Sequence, residues 1–433
     1  MALLSTDKSS KPYVQYLPFI PNGAVNIPPS KSDVHRAVIC AALTKGQCTI
    51  APVALSNDIK ATIGVIEDLG CTTSIKDGVL TVDGTNIFKT DNVTLDCGES
   101  GSALRFFIPV AAAGGINATF VGHGKLPERP IGIFTDALPK AGVKCKTEGG
   151  LPLKISGQLK SGTFEIPGNV SSQFITGLLL ALPLVEGDSD IVLTSPIESV
   201  GYINMTIYTM SQFGVNVQTT ENGWHIKGGQ SYTPCSYTTD GDWSQAAFFM
   251  VAGAIGGEVT VNGVNKNSAQ GDKKIAELLA QFGAKVTQND TSVTVKKCRL
   301  DAIDIDASQI PDLVPVLTVC AAFAKGTSKI YNAERLRIKE CDRLMATAKL
   351  INDLGGKVTE LADGLVIEGV EKLKGGFCEG FNDHRIVMSA GVCAAGLDGK
   401  IESSYALSIN KSYPDFYKDY NGIGGKADVL DLR

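Results

Sequence analysis

Cationic side chains recur in this chain where serine and glycine open a helix, and that combination is suited to holding anions. Ser30-Lys31-Ser32-Asp33-Val34-His35-Arg36, Gly98-Glu99-Ser100-Gly101-Ser102-Ala103-Leu104-Arg105, Asn169-Val170-Ser171-Ser172-Gln173 and Asn382-Asp383-His384-Arg385 each lead into an apolar body. At a helix start the first backbone N–H groups lack intrahelical acceptors and lie at the positive end of the helix dipole. A phosphate or carboxylate fits there, and each added cation strengthens the site. Serine, asparagine and aspartate alone would be ordinary N-caps, but capping does not account for Lys31, Arg36, Arg105 or Arg385. Three more cationic clusters follow: Lys125 to Gly132, with Arg129 against a proline; Arg335 to Arg343, dense in alternating charge; and Asn410-Lys411-Ser412. Arginine forks and lysine point charges suit a small molecule carrying both phosphate and carboxylate.

Composition limits the alternatives. The 433 residues carry 40 Lys and Arg against 45 Asp and Glu, a net charge of -5. That balance offers no electrostatic footprint for nucleic acid or for a membrane surface. No segment reaches the roughly 18 to 20 uninterrupted apolar residues of a membrane span, and Met1 to Lys11 lacks a signal-peptide core. A cytoplasmic location is expected. The eleven cysteines are scattered without any C-x-x-C, which argues against a zinc ribbon or a disulfide scaffold and suits a reducing compartment. Neither an ATP-cradling P-loop nor a G-x-S-x-G or H-E-x-x-H motif is present.

The elements that must position these clusters are legible in the glycines, 47 in all. Gly70, Gly142, Gly214, Gly283 and Gly355 each end an amphipathic run and are 72, 72, 69 and 72 residues apart; Gly424 follows 69 residues later. A counterphase series, Gly46, Gly115, Gly187, Gly257, Gly326 and Gly399, follows alanine-rich runs at intervals of 69, 72, 70, 69 and 73. A glycine past a helix predicts a left-handed C-terminal cap. In the first copy, Ser32 to Leu43 predicts a buried helix, Gln47 to Ile50 a strand, and Asn57 to Leu69 an amphipathic helix. Thr72 to Ile75 and Val79 to Val82 then flank the hairpin turn Lys76-Asp77-Gly78. The fold class is α/β (α+β), with six β-α-β-α-β-β repeats. The sixth repeat lacks its hairpin, and two N-terminal strands, near Tyr13 to Leu17 and Ala24 to Ile27, are expected to supply it. One domain is then discontinuous, 1–29 plus 241–433, with 30–240 inserted as the other; hinge crossings fall near 28–31 and 239–243.

At its cationic clusters the chain resembles the family of 5-enolpyruvylshikimate-3-phosphate synthases, collinearly from about residue 24 to 418. The most specific pieces are Ser30-Lys31-Ser32 with Arg36, Glu128-Arg129-Pro130-Ile131-Gly132, Ser171-Ser172-Gln173-Phe174, Pro311-Asp312, Arg337-Ile338-Lys339-Glu340-Cys341-Asp342-Arg343-Leu344 and Asn382-Asp383-His384-Arg385. The resemblance implies a two-domain inside-out barrel, three repeats per domain, with the active site in the interdomain cleft. It implies transfer of the enolpyruvyl group of phosphoenolpyruvate to the 5-hydroxyl of shikimate 3-phosphate through a tetrahedral intermediate. No metal or cofactor and no nucleic acid or membrane partner is implied, and a monomer is expected. Shikimate 3-phosphate would contact Lys31, Ser32, Arg36, Ser171, Ser172, Ser199, Tyr202, Asp312 and Lys339. Phosphoenolpyruvate would contact Lys31, Gly101, Arg129, Gln173, Arg343, Arg385 and Lys411. Asp312 is the candidate base and Glu340 the candidate acid, with Lys31 as a competing proton donor.

Three positions depart from the family pattern: Glu99, Arg335 and His35 stand where asparagine is usual. The sister enzyme acting on UDP-N-acetylglucosamine would need a Pro-Gly-Gly-Cys loop and Lys-Asn in place of Lys31-Ser32, and neither is present. A non-catalytic repeat scaffold would satisfy the glycine spacing, but it gives no reason for the clustered cations.

Overall fold

The computed structural model describes residues 12–430, and among these twelve α-helices alternate between two kinds. They are α1 (Lys31–Ala42), α2 (Asn57–Asp68), α3 (Gly101–Ala113), α4 (Gly132–Ala137), α5 (Ser172–Ala181), α6 (Val200–Gln212), α7 (Trp243–Gly256), α8 (Ile275–Phe282), α9 (Val314–Ala322), α10 (Arg343–Asp353), α11 (His384–Cys393) and α12 (Phe416–Gly422). The odd-numbered helices are buried around almost their whole circumference, including the polar residues at the starts of α1 and α11; α7 buries every residue from Trp243 to Ile255. The even-numbered ones bury a single stripe. In α2, Ser56 caps the helix by accepting from the Ile59 N–H, while Ile59, Val65 and Ile66 turn inward. Of the twelve periodic glycines, eleven have positive φ. Gly142 and Gly283 are left-handed caps directly after a helical turn, whereas Gly399 lies inside the strand Leu397–Ser403 and Gly46, at φ +147, lies beyond the C-cap Leu43 of α1, so neither of these is the expected cap. Gly257 is the one without positive φ and serves by its size, since a Cβ there would lie 2.0 Å from the Pro21 carbonyl oxygen.

Six four-stranded sheets share one order. In the first, Gln47–Ala51 runs antiparallel to Val79–Asp83, which pairs with Thr72–Lys76, and parallel to Ser236–Thr238 on its other side. Alternation sets which face is buried: Cys48 and Ile50 point inward between more exposed neighbours.

The expected pairing of the N-terminal strands needs correction. Tyr13–Tyr16 does join the sixth sheet, between Leu397–Ser403 and Ala427–Leu430. Asn22–Asn26 does not: it lies parallel to Glu258–Asn262 in the fourth repeat's sheet. The left-handed Gly424 (φ +91) lets the chain turn after α12 into Ala427–Leu430, so the sixth sheet has room for one more strand and not two.

Two compact units result. A split unit comprises the chain up to Ile27, Trp243–Asn267 and the chain from Asp272 onward; an inserted unit comprises Pro28–Asp242 with Ser268–Gly271. The short second piece of the inserted unit is attached through Gln270 Nε2, which donates to the Gly241 carbonyl at 2.8 Å. Each unit has its own apolar core, built on α7, α9 and α11 in the split unit and on α1, α3 and α5 in the inserted one. No described helix is long and apolar enough to cross a membrane.

Candidate active site

In the split unit, the starts of three helices meet around one guanidinium. Arg343 opens α10, which Asp342 caps by accepting from Met345 N–H at 3.1 Å. Arg343 Nε donates to Asp383 Oδ2 at 2.7 Å, Nη1 to Asp312 Oδ1 at 2.9 Å and Nη2 to Glu340 Oε2 at 2.7 Å. Asp312 sits in the 3-10 turn Pro311–Leu313 that leads into α9. Its Oδ2 accepts from Arg385 Nη2 at 3.2 Å, and Lys339 Nζ stands 3.7 Å from Oδ1. Asp383 also caps α11, accepting from the Arg385 N–H at 2.8 Å. Lys411 reaches the same helix start, donating to the Asn382 carbonyl at 2.7 Å. The predicted residues Asp312, Lys339, Glu340, Arg343 and Arg385 thus form one connected network, with Lys411 beside it.

Charge in this network is set by competition between burial and neighbours. Burial disfavours the Asp312 carboxylate, but Arg385, Lys339 and Arg343 outweigh it and hold its pKa well below the usual carboxylate range. Asp383, with no exposed surface, stays ionised for the same reason, through Arg343. Burial draws the Lys339 ammonium down to about 8, against the pull of Asp312. The same desolvation acts on Arg343, yet Asp383, Glu340 and Asp312 raise it well above an ordinary arginine.

In the inserted unit the cations Lys31 and Arg36 stand at the start of α1 and Arg105 at the start of α3. Lys31, at the first position of α1, pairs with Asp58 in the first turn of α2. Arg36, one turn further, is buried: Nε donates to Thr206 Oγ1 at 2.7 Å, Nη1 to the Ser32 carbonyl at 2.6 Å and Nη2 to the Tyr202 carbonyl at 3.0 Å. Burial draws Arg36 down to about 10, so it remains charged at neutral pH. Ser199, at φ +54, precedes α6 and accepts from the Tyr202 N–H at 3.1 Å. On α3, Arg105 Nη1 donates to Gln173 Oε1 at 2.6 Å and Nη2 to the Pro130 carbonyl at 3.0 Å, with its guanidinium over the Phe174 ring. Gln173 in turn donates from Nε2 to Ser102 Oγ at 3.0 Å. Ser171 caps α5 by accepting from the Gln173 N–H, and Ser172 is the next residue. The approach of α3 to α5 depends on Gly177, where a Cβ would meet the Arg105 carbonyl oxygen at 2.4 Å. A Cβ on Gly101 would lie 2.6 Å from Arg129 Nη1, so the absent side chain leaves room for that guanidinium.

Two side chains of these networks were not singled out from sequence, Asp58 and Asp383; Arg105 was singled out as a helix-start cation, but not its bridge to Gln173. Asp383 lies inside a quoted motif, where it reads as a cap; its ion pair with Arg343, 40 positions away, has no sequence signal. Of the departures, Arg335 is buried and donates to the Ser308 carbonyl at 2.5 Å. His35 is fully buried beside Thr62 Oγ1, 2.7 Å from Nδ1, and burial pushes it well below the ordinary imidazole value. It is therefore a neutral core group. Glu99 lies against Gly124, where any side chain would collide with its carboxylate. Among the described residues, no group of three or more His, Cys, Asp or Glu side chains is arranged to hold a metal ion.

The chain is similar over nearly its whole length to known proteins. The family model for EPSP synthase (3-phosphoshikimate 1-carboxyvinyltransferase) matches residues 21–420. A 3-phosphoshikimate 1-carboxyvinyltransferase from Clostridium novyi (strain NT) is 43% identical over 430 residues, covering 97% of this chain and 99% of the relative. Among solved structures, an EPSP synthase from Acinetobacter baumannii superposes with a TM-score of 0.83 at 26% identity, over 97% of this chain and all of that one. The enolpyruvyl transferase NikO from Streptomyces tendae shares the fold, with a TM-score of 0.79 at 15% identity over 98% of this chain and 100% of the other.

Proposed function

The chain belongs to the EPSP synthase family, and from that premise we propose how its two sets of helix starts divide the work of enolpyruvyl transfer. The protein is a 3-phosphoshikimate 1-carboxyvinyltransferase: it moves the enolpyruvyl group of phosphoenolpyruvate to shikimate 3-phosphate and releases phosphate. Each unit acts as a domain, and the reaction draws on residues of both. Lys31, Ser32, Arg36, Ser171, Ser172, Ser199 and Tyr202 of the inserted unit, with Asp312 and Lys339 of the split unit, take shikimate 3-phosphate. Lys31, Gly101, Arg129 and Gln173, with Arg343, Arg385 and Lys411, take phosphoenolpyruvate. Ser32 and Tyr202 contribute partly through backbone, since their carbonyls already orient Arg36.

The observation that carries the mechanism is Asp312 held among Arg343, Arg385 and Lys339. An ionised carboxylate there can take the proton of the 5-hydroxyl as its oxygen attacks C2. In the free enzyme it is a weak base, because three cations stabilise its charge. A bound phosphate and carboxylate share those cations, so substrate binding raises the proton affinity of Asp312 when a base is needed. C3 of the methylene group must gain a proton in the same addition. Glu340 is the candidate donor and Lys31 its competitor; Glu340 must first be protonated despite its pair with Arg343, whereas an ammonium carries its proton already. In the elimination the C3 methyl group gives a proton back to the former donor, and the proton held by Asp312 leaves with the departing phosphate, so that both groups return to their starting states.

The free cysteines support a reducing, cytoplasmic compartment, and we propose a monomer. The decisive experiment is phosphate release from phosphoenolpyruvate. Release that requires shikimate 3-phosphate is expected; release with a UDP-sugar in its place, or none with either acceptor, overturns the reading.

A further inference from the structure

Helix α1 carries a carboxylate in its first turn that faces the protein interior. Asp33 is 4% exposed, which is costly for an acid unless its oxygens are matched by donors. They are. Oδ1 accepts from Tyr237 Oη at 2.7 Å and from Thr209 Oγ1 at 3.4 Å, and Oδ2 accepts from the Asp240 N–H at 3.0 Å. Burial pushes its carboxyl up to about 6, with the Tyr237 and Asp240 donors opposing, so at neutral pH it is the ionised form that holds these bonds.

Tyr237 and Asp240 belong to the segment by which the chain leaves the inserted unit. That segment lies against the incoming one: the Ser30 N–H donates to the Asp240 carbonyl at 2.7 Å and the Asp242 N–H to the Pro28 carbonyl at 3.0 Å. Asp242 Oδ2 also accepts from the Lys31 N–H at 3.1 Å, satisfying a helix-start donor of α1. Two carboxylates therefore bind across the same pair of strands in opposite directions, Asp242 from the outgoing segment to α1 and Asp33 from α1 to the outgoing segment. Their attachment points on α1 are the Lys31 N–H and the Asp33 side chain, and Ser32 lies between them. An apolar residue at position 33 would fill the space without the cost of burying a charge, but it would not direct three donors.

We propose that Asp33 is a positioning residue: its buried carboxylate fastens the outgoing chain crossing to the first turn of α1 and so aims Lys31 and Ser32 at the anionic substrates. This rests on the assignment of Lys31 to both substrates made above. Asp33 touches no substrate, and it acts on binding more than on the chemical step.

The test compares Asp33→Asn, Tyr237→Phe, Lys31→Ala and the double variant D33N/K31A in the phosphate-release assay, with thermal unfolding alongside. Asp33→Asn is expected to raise the KM for shikimate 3-phosphate about tenfold with kcat changed less than about threefold. Tyr237→Phe, which removes a single donor, moves the same constant about threefold and guards against a failure of Asp33→Asn to fold. Because Asp33 acts mainly through Lys31, Asp33→Asn should cost much less in the Lys31→Ala background than it does alone. Wild-type KM values in Asp33→Asn and Tyr237→Phe with only a lowered Tm, or losses that multiply in the double variant, overturn the role of Asp33 alone. Wild-type kinetics in Lys31→Ala overturn the substrate assignment of Lys31 and the positioning role with it.

Discussion

Asp383 joins a buried ion pair to a helix cap in one side chain, and because its partner Arg343 is proposed to take phosphoenolpyruvate, replacing it tests stability and binding together. Its carboxylate has no exposed surface, meets Arg343 Nε at 2.7 Å and Nη2 at 3.4 Å, and caps α11 through the Arg385 N–H. Alanine removes all three contacts. Breaking a buried ion pair costs roughly 3 to 5 kcal/mol, and Arg343 keeps Asp312 and Glu340, so the lower end, about 3 kcal/mol, applies. Loss of the cap adds about 1 kcal/mol. Asp383→Ala is thus expected to lose about 4 kcal/mol in urea unfolding at neutral pH. Asp383→Asn keeps an acceptor for the Arg385 N–H and loses only the charge, so about 2 kcal/mol is expected. With Arg343 no longer held from behind, kcat/KM for phosphoenolpyruvate should fall roughly 100-fold in the alanine variant and less in asparagine. A loss below about 1 kcal/mol for alanine, or equal losses for the two variants, would refute the account of a buried pair combined with a cap.

Gly101→Ala would place a Cβ 2.6 Å from Arg129 Nη1; the guanidinium can move where backbone cannot, so KM for phosphoenolpyruvate should rise about tenfold with Tm unchanged. Steady-state kinetics beside a melting curve decide it, and an unaltered KM removes Arg129 from that subsite. Lys339, drawn down to about 8, loses its charge as pH rises through that value, where an ordinary lysine would hold its proton to about 10.4. Affinity for shikimate 3-phosphate should therefore weaken above pH 8 or so, and Lys339→Arg should flatten that limb; a kcat/KM profile identical in both proteins counts against the assignment. Gly257→Ala would force a Cβ to within 2.0 Å of the Pro21 carbonyl and should cost about 2 kcal/mol or more, measured by urea unfolding; a loss under about 0.5 kcal/mol would show that the Pro21 segment yields freely.

Local chemistry decided much of this molecule in advance. The glycine spacing marks the repeat because a helix followed by a reversing strand needs a left-handed residue at a fixed place, and that need is met within a few positions of chain. The cationic helix starts were legible for the same reason: serine, glycine and a basic residue within one turn are a local arrangement. What remained hidden depends on partners distant in sequence. Which sheet receives Asn22–Asn26 is settled by the strand Ala427–Leu430, some 400 positions on, already holding the edge of the sixth sheet. Asp383 and Arg343, or Asp33 and Asp240, are unremarkable as residue types. Only the folded chain brings them within hydrogen-bond reach, where burial makes an unpaired charge costly and a paired one decisive. The sequence by itself determined a sixfold repeat with cations at its helix starts. The tertiary structure decided which carboxylates restrain those cations.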